Sequence, residues 1–540
     1  MRKIGLIAVV ALAAFALPAQ AELQNVTIDG EIQIRGNWYD NTAVSPGGTG
    51  VVAGVGGAPL QGVGLRYPGQ FLPGRPIGSL ASGGFGLNSI VSRISGDDDG
   101  VNSSFVEQRT RLGVTADFTN DVSAYIEFDA YNLFGEGFRS DFITGSDTFS
   151  STNDVQLYQS YIEAREMWGF PLMARIGRQE LAFGSQWLVG TNDTNSFFTG
   201  VSFDGIRLQY ATDQFSVDAF WTKLAENSDI EEDGDVDFYG VYASYLGLED
   251  ITFDAYWLWL RDAREFNDTN LIAPFEAIED AFGRDDFDTT SIHTFGLRGA
   301  GTYGNFDFEA EGAYQTGDAG GAIGSTFRPF GVFGDDDLDL DEWGVNVEVG
   351  YTFDMQWTPR VYAGFAYFSS DDERDISFTE WLNPFDEPEG STAFNRLFSN
   401  WEYSEFLDLN GNMSNFWVAR GGVSASPTET VDVLLSVSYF SAVDEFDRPI
   451  SVSLGGFDVP VAPALSFLTE ESDDELGWEV GLYLTYAYSE DLEFEVGYAR
   501  FFNGDGLEDG NFTGGNGLFF QGTTDDDDLN YAYFQTKISF

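Results

Sequence analysis

The chain has 540 residues, no Cys and a single His, and its 26 Lys and Arg against 88 Asp and Glu give a formal net charge of -62. Without thiols there are no disulfide scaffolds, Cys zinc sites or Cys nucleophiles, only His293 could serve an imidazole mechanism, and the acidic balance repels a polyanionic duplex. With 16% aromatic residues and 63 Gly, the profile departs from that of an average soluble domain.

In chain order, Arg2 and Lys3 precede an apolar stretch from Ile4 to Leu17 that ends in Ala19-Gln20-Ala21. A charged n-region, a short h-region and an A-x-A site predict a secretory signal peptide over 1–21, with the mature chain starting at Glu22. No Cys follows the site, so no lipoprotein anchor is expected. No later apolar run approaches the ~18 residues of a membrane helix, so an inner-membrane helical protein is not expected either.

From Val26 the sequence alternates with period two: Val26, Ile28, Gly30, Ile32, Ile34, Gly36 and Trp38 on one parity, and Thr27, Asp29, Glu31, Gln33, Arg35 and Asn37 on the other. This is the strand period, with one apolar and one wet face. It returns at Val122 to Ala130, Ile251 to Trp259, Trp343 to Tyr351, Leu476 to Leu484 and Leu492 to Tyr498, with no charge on the apolar parity. Short polar turns join the segments in pairs, at Thr119 to Asp121, Ala211 to Gln214, Leu248 to Asp250, Tyr303 to Asn305, Ser426 to Glu429 and Ser489 to Asp491. Longer polar loops separate the pairs, near 40–104, 136–154, 190–200, 224–236, 263–290, 318–340, 369–414, 441–474 and 503–528. Nine long loops alternating with short turns predict roughly 18 antiparallel strands closed into an all-β transmembrane barrel over 22–540, since short periplasmic turns and long outer loops mark outer-membrane barrels. A soluble secreted sandwich also alternates. Aromatic residues at strand ends, the asymmetric loops and a last strand of Phe534, Thr536, Ile538 and Phe540 favour the membrane. The 40–104 loop is rich in Gly and Pro; loops of that length are usually functional or disordered, so it either constricts the lumen or lies outside.

Several segments resemble the alginate-export family of outer-membrane porins. Gly177-Arg178-Gln179-Glu180 with Phe183-Gly184, Phe203-Asp204-Gly205, Tyr314-Gln315-Thr316-Gly317-Asp318 and Phe394-Asn395-Arg396-Leu397-Phe398 are similar to family motifs, as are Gly477 to Leu482 and Gly497 to Gly504. The likeness covers roughly 170 to 540, in order. The resemblance implies an 18-stranded monomeric barrel that passes an anionic polysaccharide or smaller solutes along an arginine-lined lumen. Two departures bear on the substrate: Trp401-Glu402 stands where a His is expected, and the outer loops are strongly acidic.

Fourteen basic residues fall within the expected strands: Arg35, Arg109, Arg111, Arg165, Arg175, Arg178, Arg207, Lys223, Arg261, Arg298, Arg360, Arg420, Arg500 and Lys537. A charge facing lipid at the midplane costs about 2–4 kcal/mol, so these belong in the lumen or at the rims. The expected pore or substrate residues are Arg35, Arg109, Arg111, Arg175, Arg178, Arg207, Arg298, Arg360, Arg420 and Glu479. Bracing of the wall by lumen acids is the competing role for each arginine. Arg175 and Arg178 have opposite parity, so both point inward only if Gly177 marks a bulge. No catalytic residue and no cofactor is expected. The acidic runs Asp97 to Asp99, Glu231 to Asp233, Asp335 to Asp337, Asp371 to Glu373, Asp473-Asp474 and Asp525 to Asp528 could offer oxygen ligands to Ca²⁺ or Mg²⁺, though none has the spacing of a recognised calcium loop.

The function expected is a passive outer-membrane channel for anionic or sugar-like solutes. A structural acidic surface barrel that binds divalent cations, and a barrel hydrolase built on His293, are the alternatives. Expected partners are outer-membrane lipid and lipopolysaccharide, a small anionic or saccharide solute, and the barrel-assembly machinery during biogenesis.

Overall fold

The computed structural model describes residues 22–41, 102–134 except 120, 155–191, 200–225, 235–262, 290–319, 338–370, 394–410, 414–444, 473–508 and 528–540, together with short paired strands in some of the loops. The expected signal peptide, nearly all of the 40–104 loop and most of the acidic runs lie outside them.

Among the described residues, 18 strands form one antiparallel sheet. The first six are β1 (Leu23–Asp40), β2 (Ser103–Phe118), β3 (Val122–Leu133), β4 (Gln156–Ala164), β5 (Leu172–Gln179) and β6 (Phe203–Ala211). Then come β7 (Phe215–Ala225), β8 (Val236–Leu248), β9 (Ile251–Asp262), β10 (Thr290–Tyr303), β11 (Phe306–Ala319) and β12 (Leu338–Thr352). The circuit is completed by β13 (Arg360–Phe368), β14 (Phe416–Thr428), β15 (Val431–Ala442), β16 (Glu475–Ala487), β17 (Leu492–Asn503) and β18 (Leu529–Ser539). Each pairs with its chain neighbours, and β1 pairs with both β2 and β18, so the sheet closes. Closure satisfies the backbone donors and acceptors that hydrocarbon could not, which is why a barrel can span a bilayer. Strand count, alternation and the placing of short turns and long loops at opposite ends all match the sequence reading. Two further turns, 165–171 and 353–359, are longer than the six short polar turns. Arg165 is corrected accordingly: it sits in the first of these turns, 68% exposed and paired with Glu163, rather than in a strand.

Parity sorts the side chains. Ile28, Ile162 and Leu297 point outward and are over 60% exposed, whereas Gln33, Arg35 and Asn37 point inward and are buried. At the loop end the outward parity carries rings in strand register, Trp221 beside Tyr239, Tyr239 beside Trp259 and Trp259 beside His293. On the far wall, Tyr314 stands beside Trp343, Tyr367 beside Trp417 and Tyr439 beside Trp478. These rings form the aromatic girdle of an outer-membrane barrel at the bilayer interface.

The seam is closed by the C-terminus. Phe540 exchanges backbone hydrogen bonds with Gly30, at 2.9 and 3.0 Å. Its ring covers Gly30 so closely that a Cβ there would stand 2.6 Å from Phe540 Cζ.

Candidate functional site

The inner wall does not enclose an empty lumen. Two segments turn inward from the loop end: residues 180–191, which lead into the expected 190–200 loop, and residues 394–410, within the 369–414 loop expected to lie outside. They are stitched together: Phe398 N donates to Leu188 O at 2.9 Å, Gly190 N to Phe398 O at 2.9 Å and Asn400 N to Gln186 O at 2.9 Å. Leu181, Trp187, Arg396 and Phe406 are wholly buried, packed with inward residues such as Phe203, Phe238, Phe368 and Phe501 into one apolar core within the barrel. Phe183 stacks on Phe220 and Tyr242 at 5.4 and 5.0 Å. Gly184 follows at φ +57°, where a Cβ would stand 2.5 Å from Tyr242 Oη, so only glycine fits the turn.

The wall holds this plug by polar contacts at several strands. Gln315 of β11 and Asn395 bond reciprocally, side chain to backbone, both at 2.7 Å. Trp187 Nε1 donates to Tyr403 Oη at 3.0 Å, and Tyr403 in turn donates to Asn346 of β12 at 3.1 Å. Arg396, flanked by the Phe368 and Tyr403 rings at 5.1 and 4.9 Å, forms a 3.0 Å ion pair with Asp408. Asp408 also accepts from the backbone N–H groups of Tyr403 and Ser404. On β16, Glu479 accepts from Ser404 Oγ at 2.5 Å and from the Glu405 N–H at 3.1 Å. Glu405 Oε1 accepts from Tyr483 at 2.9 Å. Burial raises the Glu405 carboxyl above the usual carboxylate range and the charges of Glu495 and Asp408 add to that, while the Tyr483 hydroxyl and Arg35 oppose it. Burial likewise pushes the Tyr403 phenol up to about 12.

Four of the motifs carrying the family resemblance therefore meet at the plug: Phe183-Gly184, Gln315, Phe394 to Phe398, and Glu479. Trp401, in the place of the expected His, donates from Nε1 to Ser185 O at 2.8 Å and so ties the two inserted segments together. Sequence reasoning placed 369–414 outside as a polar loop. Its residues 394–410 are inside because their apolar side chains fill the concave lumen. That packing follows no strand or helix period, and the only cue available was the cluster of Phe, Leu and Trp in an otherwise polar stretch.

The arginines divide into distinct environments. Arg35 is 1% exposed and bonds Gln535 Oε1 at 2.9 and 2.6 Å, and Arg109 is 4% exposed and pairs with Glu31 at 2.6 Å. Both brace the seam region, where Lys537 also joins Glu31 at 2.6 Å. Arg111 lies over the Tyr158 ring at 4.2 Å, with Asp129 at 3.6 Å. Arg175 and Arg207 stand directly opposite each other across β5 and β6, flanked by Glu163 at 2.6 Å and Asp218 at 2.7 Å respectively. Arg298 pairs with Asp254 at 2.8 Å and Glu309 at 3.3 Å. Arg360 and Arg420 share Glu348, at 2.9 and 3.0 Å, and Arg420 also lies over Trp401 at 4.7 Å.

Arg178 and Glu479 depart from the expected role. The register through Gly177 is unbroken, so no bulge turns Arg178 inward. Arg178 lies on the outward parity with Ile176 and grips Asp204 at 2.8 and 2.7 Å. Glu479 is taken up by the plug and does not face open lumen. His293 also points outward, stacked on Trp257 and Trp259 at 6.0 and 5.3 Å, with Trp257 Nε1 donating to its Nδ1 at 3.3 Å. The Trp257 N–H occupies its Nδ1, so the ring is held as part of the girdle. Among the described residues no group of three or more His, Asp or Glu converges as a cation site.

A scan against known protein families matches the alginate export family over residues 92–519. No curated protein matches the chain. Among solved structures it is similar to OccAB1 of Acinetobacter baumannii, with 11% identity over 95% of this chain and 96% of that one and a TM-score of 0.49. It is also similar to OccK8 (OprE) of Pseudomonas aeruginosa, with 10% identity over 95% of this chain and 98% of that one and a TM-score of 0.46.

Proposed function

The chain belongs to the alginate export family and is an outer-membrane channel, and from that premise we propose that it passes anionic or sugar-like solutes. The observation that carries this reading is the cross-strand pair Arg175 and Arg207, partly exposed at 19% and 16% and backed by the Tyr161 and Phe183 rings at 4.2 and 5.2 Å. Two adjacent guanidiniums present fixed donors to a carboxylate. The inserted segments also reach β4, where Tyr158 donates to Glu180 at 2.6 Å and the Glu180 N–H donates to Gln159 at 3.1 Å. A uronate is the solute class that suits such a wall, because it offers both a carboxylate for the arginines and hydroxyls for the carboxylates between them.

Inward acids outnumber the arginines: Glu31, Glu107, Glu127, Asp129, Glu163, Asp218, Asp254, Asp307, Glu309, Glu311, Glu348, Glu479 and Glu495 all lie on the lumen parity. Simple anion selectivity is therefore not the expected signature. The better test is block of single-channel current in a planar bilayer by an oligouronate, with a neutral oligosaccharide of the same length as the comparison. Arg175→Gln with Arg207→Gln should weaken the oligouronate block about tenfold, the loss of roughly one charge-assisted hydrogen bond, and leave the neutral sugar unchanged. Equal block by both sugars in the unaltered channel would remove the anionic-solute reading.

A further inference from the structure

The outward surface carries charge in one continuous row. In strand register Arg178 of β5 stands beside Asp204 of β6, Asp204 beside Lys223 of β7, Lys223 beside Asp237 of β8, and Asp237 beside Arg261 of β9. All five share the parity of the exposed Ile176, Ile206, Trp221 and Val241. The row lies at the loop end: Arg178 is one residue from the end of β5 and Asp204 one residue from the start of β6. One step toward the membrane, the same parity carries Trp221, Tyr239 and Trp259, with Trp221 Nε1 donating to Asp237 at 3.0 Å.

A lipid-facing cation costs about 2–4 kcal/mol at the bilayer midplane and little near the interface, so five charges above an aromatic girdle lie at the level of the outer headgroups. Strands are ~4.8 Å apart, which spaces Arg178, Lys223 and Arg261 about 10 Å from one another along an arc of about 20 Å. We infer that this row docks a phosphorylated glycolipid of the outer leaflet, its phosphates meeting Arg178, Lys223 and Arg261 and its sugar and first acyl carbons lying on Trp221, Tyr239 and Trp259.

Two features fix the chemistry of the occupant. An anionic head suits three cations held on alternate strands of a protein whose net charge is otherwise strongly negative. An apolar tail is required by the rings directly beneath. A soluble anion satisfies only the first, and a protein partner could not reach the rings through the bilayer. The acids beside the cations set their spacing: Arg178 gives Asp204 two of its five N–H donors and Leu157 O a third, and Lys223 pairs with Asp235. The inference rests on the barrel's orientation in the outer membrane and not on the solute it conducts.

The test is native mass spectrometry of the full chain in detergent, incubated with bis-phosphorylated lipid A or its dephosphorylated counterpart. Wild type should retain the phosphorylated lipid. Arg178→Gln, Lys223→Gln and Arg261→Gln together should retain about tenfold less, while Arg500→Gln, an outward residue paired with Asp528 elsewhere on the rim, should behave as wild type. Heat-modifiable migration checks folding of the triple variant, and Lys223→Gln alone is read if it fails to close. Equal retention by wild type and variant, or equal retention of the two lipids, would overturn the inference. Neither result depends on the current-block experiment, so either proposal can fail without the other.

Discussion

What an arginine does in this barrel follows from how much water reaches it and which way its parity points. Arg396 has no exposed surface, and its charge is held by Asp408, by the Trp401 carbonyl oxygen and by the two rings beside it. Breaking a buried ion pair by removing one partner costs roughly 3–5 kcal/mol, whereas replacing both with apolar groups of similar volume is often neutral. Asp408→Asn should therefore release the 394–410 segment, read as faster protease cleavage within it and a larger single-channel conductance, while Arg396→Met with Asp408→Leu should keep it docked. Cleavage and conductance unchanged in Asp408→Asn would mean that the pair does not hold the plug. Arg178 makes the complementary point. Its outward parity was legible in the sequence from its offset to Arg175, and only the supposition of a bulge at Gly177 hid it.

The inserted segments behave as elements in their own right, with a dependence on acidity. Glu405 is held above the ordinary carboxylate range when docked, so the docked form binds a proton more tightly than the released form. Docking is thus favoured at acidic pH, and that advantage is lost as pH climbs from the ordinary carboxylate value through the raised one. Conductance should rise with pH across that window, and Glu405→Gln should flatten the rise while holding the low-pH conductance. A conductance that falls with pH would reverse the assignment. The strands were readable because lipid on one side and lumen on the other impose a period of two, down to single residues such as Ile28 against Asp29. The plug was not readable, because Phe394, Leu397, Phe398 and Phe406 pack against a curved wall contributed by strands far apart in sequence. The family motifs pointed at the right residues, Gln315 and Glu479 among them, without showing that those residues hold a plug.

For the whole molecule, stability resides in an unbroken ring of paired strands. The last strand matches β1 residue for residue from Glu31 beside Ser539 to Asp40 beside Asn530, and Phe540 adds two backbone hydrogen bonds at Gly30. Deleting Phe540 removes those bonds and uncovers Gly30 without touching the lumen. The expected result is a lower outer-membrane yield with unaltered conductance in the barrels that do assemble. An unchanged yield would show that the seam closes without its final residue.

The same seam sets an order of events. Arg35 and Gln535, which meet across it, are 500 residues apart in the chain, while every other strand pair is joined by a direct connection. Loop-closure entropy grows with the logarithm of length, so joining residues that far apart costs about 5 kcal/mol more than closing the tightest of turns. Hairpins can form between chain neighbours; the ring cannot, because its two partners are the first and the last strands of the sheet. Until then the sheet has two open edges, β1 and whichever strand is newest, each presenting unpaired N–H and C=O groups to any neighbouring chain. The period of greatest danger for this protein is the interval between the pairing of β17 and the arrival of β18, and it ends in a single step at Phe540.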